Sequence, residues 1–303
     1  MDRLTVNTSP RQLIDGAPAL SALGWGMWRY HGDDLGAATA RCMAALEAGI
    51  TLFDTADIYG FDHEHGFGAA ETLFGRVLAA NPGLRGQIVL ASKGGIQPPI
   101  PYHQRGEQLI ACCEASLRRL NVDCIDLYQV HRPDLLAHPA EVAAALDKLR
   151  QQGKIKAAGV SNYTPAQVAA LAAHLPFRLL SVQPEFSPLH IAPLFDGVLD
   201  QALERNLTVL TWSPLGGGGL VRGAADARTA RVAAALDIIA HRQGTTRAAV
   251  AYAWAMVHPA RPIPLVGSQT PDRIREAADA LKVEMTGADW YGVLVAARGT
   301  PMP

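Results

Sequence analysis

The chain has 303 residues, 49% of them hydrophobic and 18% charged, a length that exceeds one small core and suits a large α/β barrel or two modest domains. Lys plus Arg is 27 and Asp plus Glu is 28, a net charge of −1 without any long run of one sign, so neither nucleic acid nor a charged membrane surface is an expected partner. No apolar stretch resembles a signal segment or reaches the roughly 18 residues of a membrane span, and Cys42, Cys112, Cys113 and Cys124 form no C-x-x-C pair, which predicts core thiols in a cytoplasmic protein.

In chain order, short β-rich runs alternate with helical patterns. SALGWGMW (21–28) precedes LGAATARCMAALEAG, TLFD (51–54) precedes AAETLFGRVLAA, and QIVLASK (87–93) precedes GEQLIACCEASLRRL. CIDLYQVH (124–131) is followed by PAEVAAALDKLRQQG, KIKAAGVS (154–161) by TPAQVAALAAHL, and RLLSVQ (178–183) by GVLDQALERN. LTVLTWS (207–213) with TARVAAALDIIAHRQ, and IPLVGS (263–268) with TPDRIREAADAL, bring the count to eight βα units. Alternation of this kind implies parallel strands, and eight units can close into a (β/α)8 barrel. Two further helices are predicted, over 246–258 and 288–297. No linker divides the chain, so residues 1–303 read as one domain. A doubly wound open sheet would carry G-x-G-x-x-G after its first strand, where this chain has WRYHGDD.

In such a barrel the active site lies at the carboxyl ends of the strands. The predicted strands end in Asp54, Lys93, His131, Ser161 with Asn162, Gln183, Trp212 with Ser213, and Ser268. Turn chemistry accounts for Ser, Asn and Asp at strand ends, but not for Lys93 and His131 closing apolar runs. FDTADIYG adds Tyr59 just beyond Asp54, and a strand carrying two carboxylates must end near solvent or have its charges paired.

The ordered motifs FDTADIYG, ASKGG, DLYQVHRPD, GVSNYTPAQV, WSPLGGG and PLVGSQTPDRI resemble those of the aldo-keto reductases across nearly the whole chain. Within that superfamily the likeness is to a bacterial branch of poorly characterised oxidoreductases. The resemblance implies a catalytic tetrad of Asp54, Tyr59, Lys93 and His131 that moves hydride from NADPH to an aldehyde or ketone. Tyr59 would be the general acid, the Lys93 ammonium would lower its pKa, Asp54 would hold Lys93 charged, and His131 would orient the carbonyl. It further implies that Ser161, Asn162 and Gln183 bind the nicotinamide carboxamide and that Trp212, where many members have Tyr, stacks on the ring. Ser213, Leu215 and Gly216 would meet the pyrophosphate, Ser268 and Arg273 the 2′-phosphate, and Glu276 the adenine.

Trp28, Tyr102 and His103, with the loop 218–230, are expected in the substrate wall and point to an apolar or aromatic carbonyl compound. A monomer or weak associate is expected. Three rivals remain open at this stage: a metal-dependent hydrolase using His63 and His65, a Schiff-base lyase using Lys93, and a cofactor-binding sensor with negligible turnover. The expected site contains no metal.

Overall fold

The computed structural model describes residues 3–223 and 226–303. Its strands are β1 (Arg3–Thr5), β2 (Gly24–Gly26), β3 (Leu52–Asp54), β4 (Val89–Gly94), β5 (Ile125–Val130), β6 (Ile155–Ser161), β7 (Ser181–Gln183), β8 (Thr208–Thr211), β9 (Ile263–Val266) and β10 (Glu284–Thr286). Strands β2 to β9 close a parallel barrel in chain order, with β9 returning to β2. The helices are α1 (Leu35–Glu47), α2 (Ala69–Ala80), α3 (Gln108–Leu120), α4 (Pro139–Gln151), α5 (Pro165–Ala172), α6 (Val198–Arg205), α7 (Gly219–Arg222), α8 (Ala227–Gln243), α9 (Arg247–Met256), α10 (Pro271–Glu276) and α11 (Gly287–Arg298). The fold is the (β/α)8 barrel the alternation predicts, with additional helices toward the C-terminus.

Local chemistry starts these helices where they start. Asp34 accepts from the Ala37 N–H to cap α1, and Thr164 and Gln167 form a capping box before Pro165 opens α5. Two apolar layers result from the strand pleat. Leu52, Val89, Ala91, Leu127, Leu210, Ile263 and Leu265 cluster with Ile14 and Leu20 from the segment preceding the barrel. Their alternate neighbours Phe53, Leu90, Tyr128 and Val266 pack in the larger core with the helices. Two residues further along the same faces come Asp54 after Leu52, Lys93 after Ala91, and Gln129 after Leu127, so the pleat turns an apolar floor into a polar mouth.

The structure departs from the sequence reading in four places. The first barrel strand is only Gly24–Gly26. Strands β1 and β10 pair antiparallel outside the barrel; each has three residues, too few to show a period. Residues Ala277–Lys282 tighten into a 3-10 turn instead of prolonging α10. The expected pocket loop 218–230 is largely helical, holding α7 and the start of α8, and positions 224 and 225 of it lie outside the described residues.

Candidate active site

At the mouth of β3 and β4, the Lys93 ammonium donates to Asp54 Oδ2 at 2.6 Å, the Thr55 carbonyl at 2.8 Å and the Tyr59 hydroxyl at 3.2 Å. All three of its donors are therefore spent, and side chain and partners are buried. Asp54 Oδ1 accepts from Gln183 Nε2 at 3.0 Å and Gln129 Nε2 at 3.3 Å, so its charge is fully partnered. Strand register explains the meeting: Asp54 stands opposite Ala91 and Lys93 opposite Gln129. Tyr59 reaches back on a turn whose Asp57 N–H donates to the Lys93 carbonyl at 3.0 Å. Its ring packs edge-on against His131, centroids 5.9 Å apart, and against Trp28 at 5.0 Å.

The electrostatics differ from expectation at Tyr59. Burial pushes its pKa above the ordinary tyrosine value, and the opposing pull of Lys93 does not overcome burial aided by Asp54. For Lys93, burial alone would lower the pKa, but Asp54 and Tyr59 raise it, so the ammonium is retained. Burial, with Lys93 and Arg132 nearby, holds His131 well below the ordinary histidine value, leaving a neutral imidazole.

Above this network lies a cavity of about 850 Å³. Around Tyr59 it is lined by Trp28 and His131, whose sequence neighbours Arg29 and Arg132 also line it; Ser161, Asn162, Gln183, Trp212, Ser213, Leu215, Ser268, Arg273 and Glu276 contribute to the rest of the wall. Asn162 (φ 60°) and Ser213 (φ 49°) hold left-handed backbone, a conformation that costs a non-glycine residue free energy and gathers at working sites. Gly216, Gly217 and Gly218 are also left-handed, at φ 58°, 63° and 93°. A Cβ on Gly216 would come within 2.6 Å of the Leu189 side chain, whereas Gly217 faces open space.

Residues 22–293 match the Aldo/keto reductase family. The chain belongs to that family. A 6-dehydroglucose reductase of Novosphingobium aromaticivorans is 51% identical over all of both chains, and one of Agrobacterium fabrum is 39% identical over 92% of this chain and 95% of its own. Oxidoreductase YdhF of Escherichia coli is 35% identical, covering 94% and 96% respectively. Among solved structures, a thermostable aldo-keto reductase with the inhibitor epalrestat superposes with a TM-score of 0.81 at 22% identity, over 95% of this chain and 99% of that one, a likeness of fold.

Most of the residues singled out in the sequence of this aldo/keto reductase thus meet around one cavity. Gly216 does not line it; its neighbours Gly217 and Gly218 do. Tyr102 and His103 do not line it either. The His103 N–H is bonded to the Gly95 carbonyl at 3.1 Å, and the Gln104 side chain is bound to the Arg132 carbonyl, which ties that loop to its own base and to the neighbouring loop after β5. His63 packs against His31 with ring centroids 4.0 Å apart and planes tilted by 34°, and among the described residues no group of three or more His, Cys, Asp or Glu could hold a metal ion.

Sequence reasoning missed Gln129, although its place two residues before His131 on an apolar strand was a usable signal. It also missed the guanidiniums of Arg29 and Arg132, which follow Trp28 and His131 directly. Asp57 is the larger surprise. It is buried, and neither carboxylate oxygen has a hydrogen-bond partner among the described residues. Burial and nearby Glu71 push its pKa well above the carboxylate range. Glu71 is itself buried but satisfied, by Ser92 Oγ at 2.5 Å and Arg119 Nε at 2.8 Å.

Proposed function

We infer that this family member is an NADPH-dependent reductase that converts the carbonyl of a sugar of the 6-dehydroglucose type to the alcohol. The observation that carries the reading is the buried Asp54–Lys93–Tyr59 chain, with neutral His131 beside the phenol at the floor of the cavity. NADPH would supply the hydride. The residues available to hold it fit: the half-buried Trp212 offers an aromatic face, the Gln183 amide oxygen has no hydrogen-bond partner among the described residues, and Asn162 Oδ1, which accepts from the Trp212 indole, retains a second lone pair for a carboxamide N–H. The left-handed Gly217 opens its backbone to the cavity, and Arg273 and Ser268 line it as well.

As hydride reaches the carbonyl carbon, negative charge builds on oxygen, and Tyr59 is placed to give up its proton there. A raised phenol pKa keeps that proton in place at neutral pH, and an alkoxide is still a far stronger base than the phenolate left behind. Lys93 stabilises that phenolate by charge, and Asp54 keeps Lys93 protonated and aimed. The same bonding argues against Schiff-base chemistry, because a charged ammonium with three acceptors is not a nucleophile.

The sugar assignment rests on the two relatives named 6-dehydroglucose reductase and on the cavity wall. The Arg29 and Arg132 guanidiniums make no hydrogen bond or ion pair among the described residues, yet both line the Tyr59 end. A guanidinium carries five donors and no acceptor, so this end favours an oxygen-rich substrate over the apolar or aromatic one expected from sequence.

Absorbance of NADPH followed with 6-dehydroglucose and a set of simple aldehydes tests the reading. Oxidation fastest with the sugar supports it; preference for aromatic aldehydes removes the sugar assignment. In the same assay Arg273→Ala should weaken NADPH about 10-fold or more while barely changing NADH, as expected for a lost charge-assisted bond to the 2′-phosphate. Equal losses would show that Arg273 does not read that phosphate.

A further inference from the structure

Trp212 makes a contact that stacking does not require. Its indole Nε1–H donates to Asn162 Oδ1 at 3.0 Å, while Asn162 Nδ2 donates to the His131 carbonyl at 3.2 Å and to Ser161 Oγ at 3.0 Å. These contacts decide which way the amide faces. Turned over, Asn162 would aim its NH2 at the indole N–H and its oxygen at a carbonyl oxygen, two repulsive pairs. Ser161 Oγ donates to the Gln183 carbonyl at 2.9 Å, so toward Asn162 it can only accept. The His131 peptide is thereby held from both sides, its N–H by the Gly94 carbonyl at 3.0 Å and its carbonyl by Asn162. The His131 ring has no such restraint: its Nδ1 is buried without a hydrogen-bond partner among the described residues. The ring's position therefore depends on its backbone and on packing against Tyr59.

We propose that Trp212 is a positioning residue for His131, acting through Asn162: the indole N–H fixes the amide, the amide fixes the His131 main chain, and that sets where the imidazole meets the substrate carbonyl. The proposal rests on the reading of this site as carbonyl-reducing. A Tyr or Phe ring at 212 would keep an aromatic face toward the cavity but has no N–H to give Asn162. The consequence belongs to the chemical step and not to cofactor affinity.

The test uses Trp212→Tyr, Trp212→Phe, Asn162→Ala and the double variant Trp212→Phe/Asn162→Ala. NADPH binding is measured by calorimetry, and turnover of 6-dehydroglucose is measured with ordinary and hydride-deuterated NADPH. Loss of one neutral hydrogen bond predicts a kcat lowered about 5- to 10-fold in both single Trp212 variants, with a larger isotope effect than wild type. In those two Trp212 variants NADPH affinity should change less than about threefold, because the aromatic face is kept. In the Asn162→Ala background, Trp212→Phe should cost nothing further, because residues acting through one another are not additive. An unchanged kcat, a loss confined to NADPH affinity, or additive losses would overturn the proposal.

Should the wild type reduce no carbonyl at all, the catalytic reading fails and the proposal is decided in the cofactor-free protein by NMR. A shift of the His131 imidazole resonances on Trp212→Phe, matched by Asn162→Ala, supports it. Resonances of His131 that stay in place overturn it.

Discussion

Lys93 is the residue on which the site turns, because three acceptors share one buried ammonium. Lys93→Met would leave the Asp54 carboxylate buried with only the amides of Gln183 and Gln129 beside it. Breaking a buried pair from one side costs about 3–5 kcal/mol, so urea unfolding should show a loss of that order, and turnover should fall with it. Asp54→Asn combined with Lys93→Met should recover part of the stability and none of the turnover. In the cavity wall beside Tyr59, Arg132→Ala should raise KM for 6-dehydroglucose about 10-fold, through a lost charge-assisted bond, with little change for a small aldehyde.

Asp57 leads to a prediction of opposite sign. Its folded pKa is raised, so its contribution to stability is full below the unfolded value of about 3.9 and is lost as pH rises toward the folded one. Asp57→Asn removes that proton uptake and should stabilise the protein at neutral pH, with the gain vanishing in acid. Urea midpoints at the two pH values check this; destabilisation at neutral pH would mean that the carboxylate is ionised and paired. Residue identity alone did place Asp54, Lys93 and His131 at the barrel mouth, since a polar side chain that closes an apolar strand marks where the strand leaves the core. It could not reveal that Asp57, three residues on, turns inward, because that depends on how Tyr59 folds back over β4.

Elements were legible where a period could be counted. The strands and helices of the barrel announce themselves by alternation of two kinds of apolar pattern, and α9 and α11 appear within a residue or two of their predicted spans. The pairing of β1 with β10 and the start of α7 directly after a glycine run were not legible, because short strands lack a period and glycine gives no propensity signal. Close helix contacts were also hidden. Gly75 in α2 lies so near α3 that a Cβ there would run into the Arg119 carbonyl oxygen. Overpacking against backbone costs typically about 1–3 kcal/mol, so Gly75→Ala should lower the urea midpoint by a corresponding amount. It should also disturb the Arg119–Glu71 pair that packs behind the Tyr59 turn; an unchanged midpoint would mean that the two helices separate without cost.

For the whole molecule, the barrel acts as a device for bringing residues from sequence positions 28 to 276 around one cavity while the barrel interior beneath it stays apolar. Its acid limit follows from the neutral histidine at the centre. With the folded pKa of His131 lowered, its contribution is full above the unfolded value of about 6.5 and is lost as pH falls toward the folded one. The central claim is that Tyr59 delivers the proton while hydride is transferred at this cavity. The direct measurement is single-turnover oxidation of bound NADPH by 6-dehydroglucose, comparing wild type with Tyr59→Phe. The account predicts a rate lowered on the order of 100-fold or more with NADPH affinity nearly unchanged. A Phe variant that turns over at the wild-type rate would contradict it.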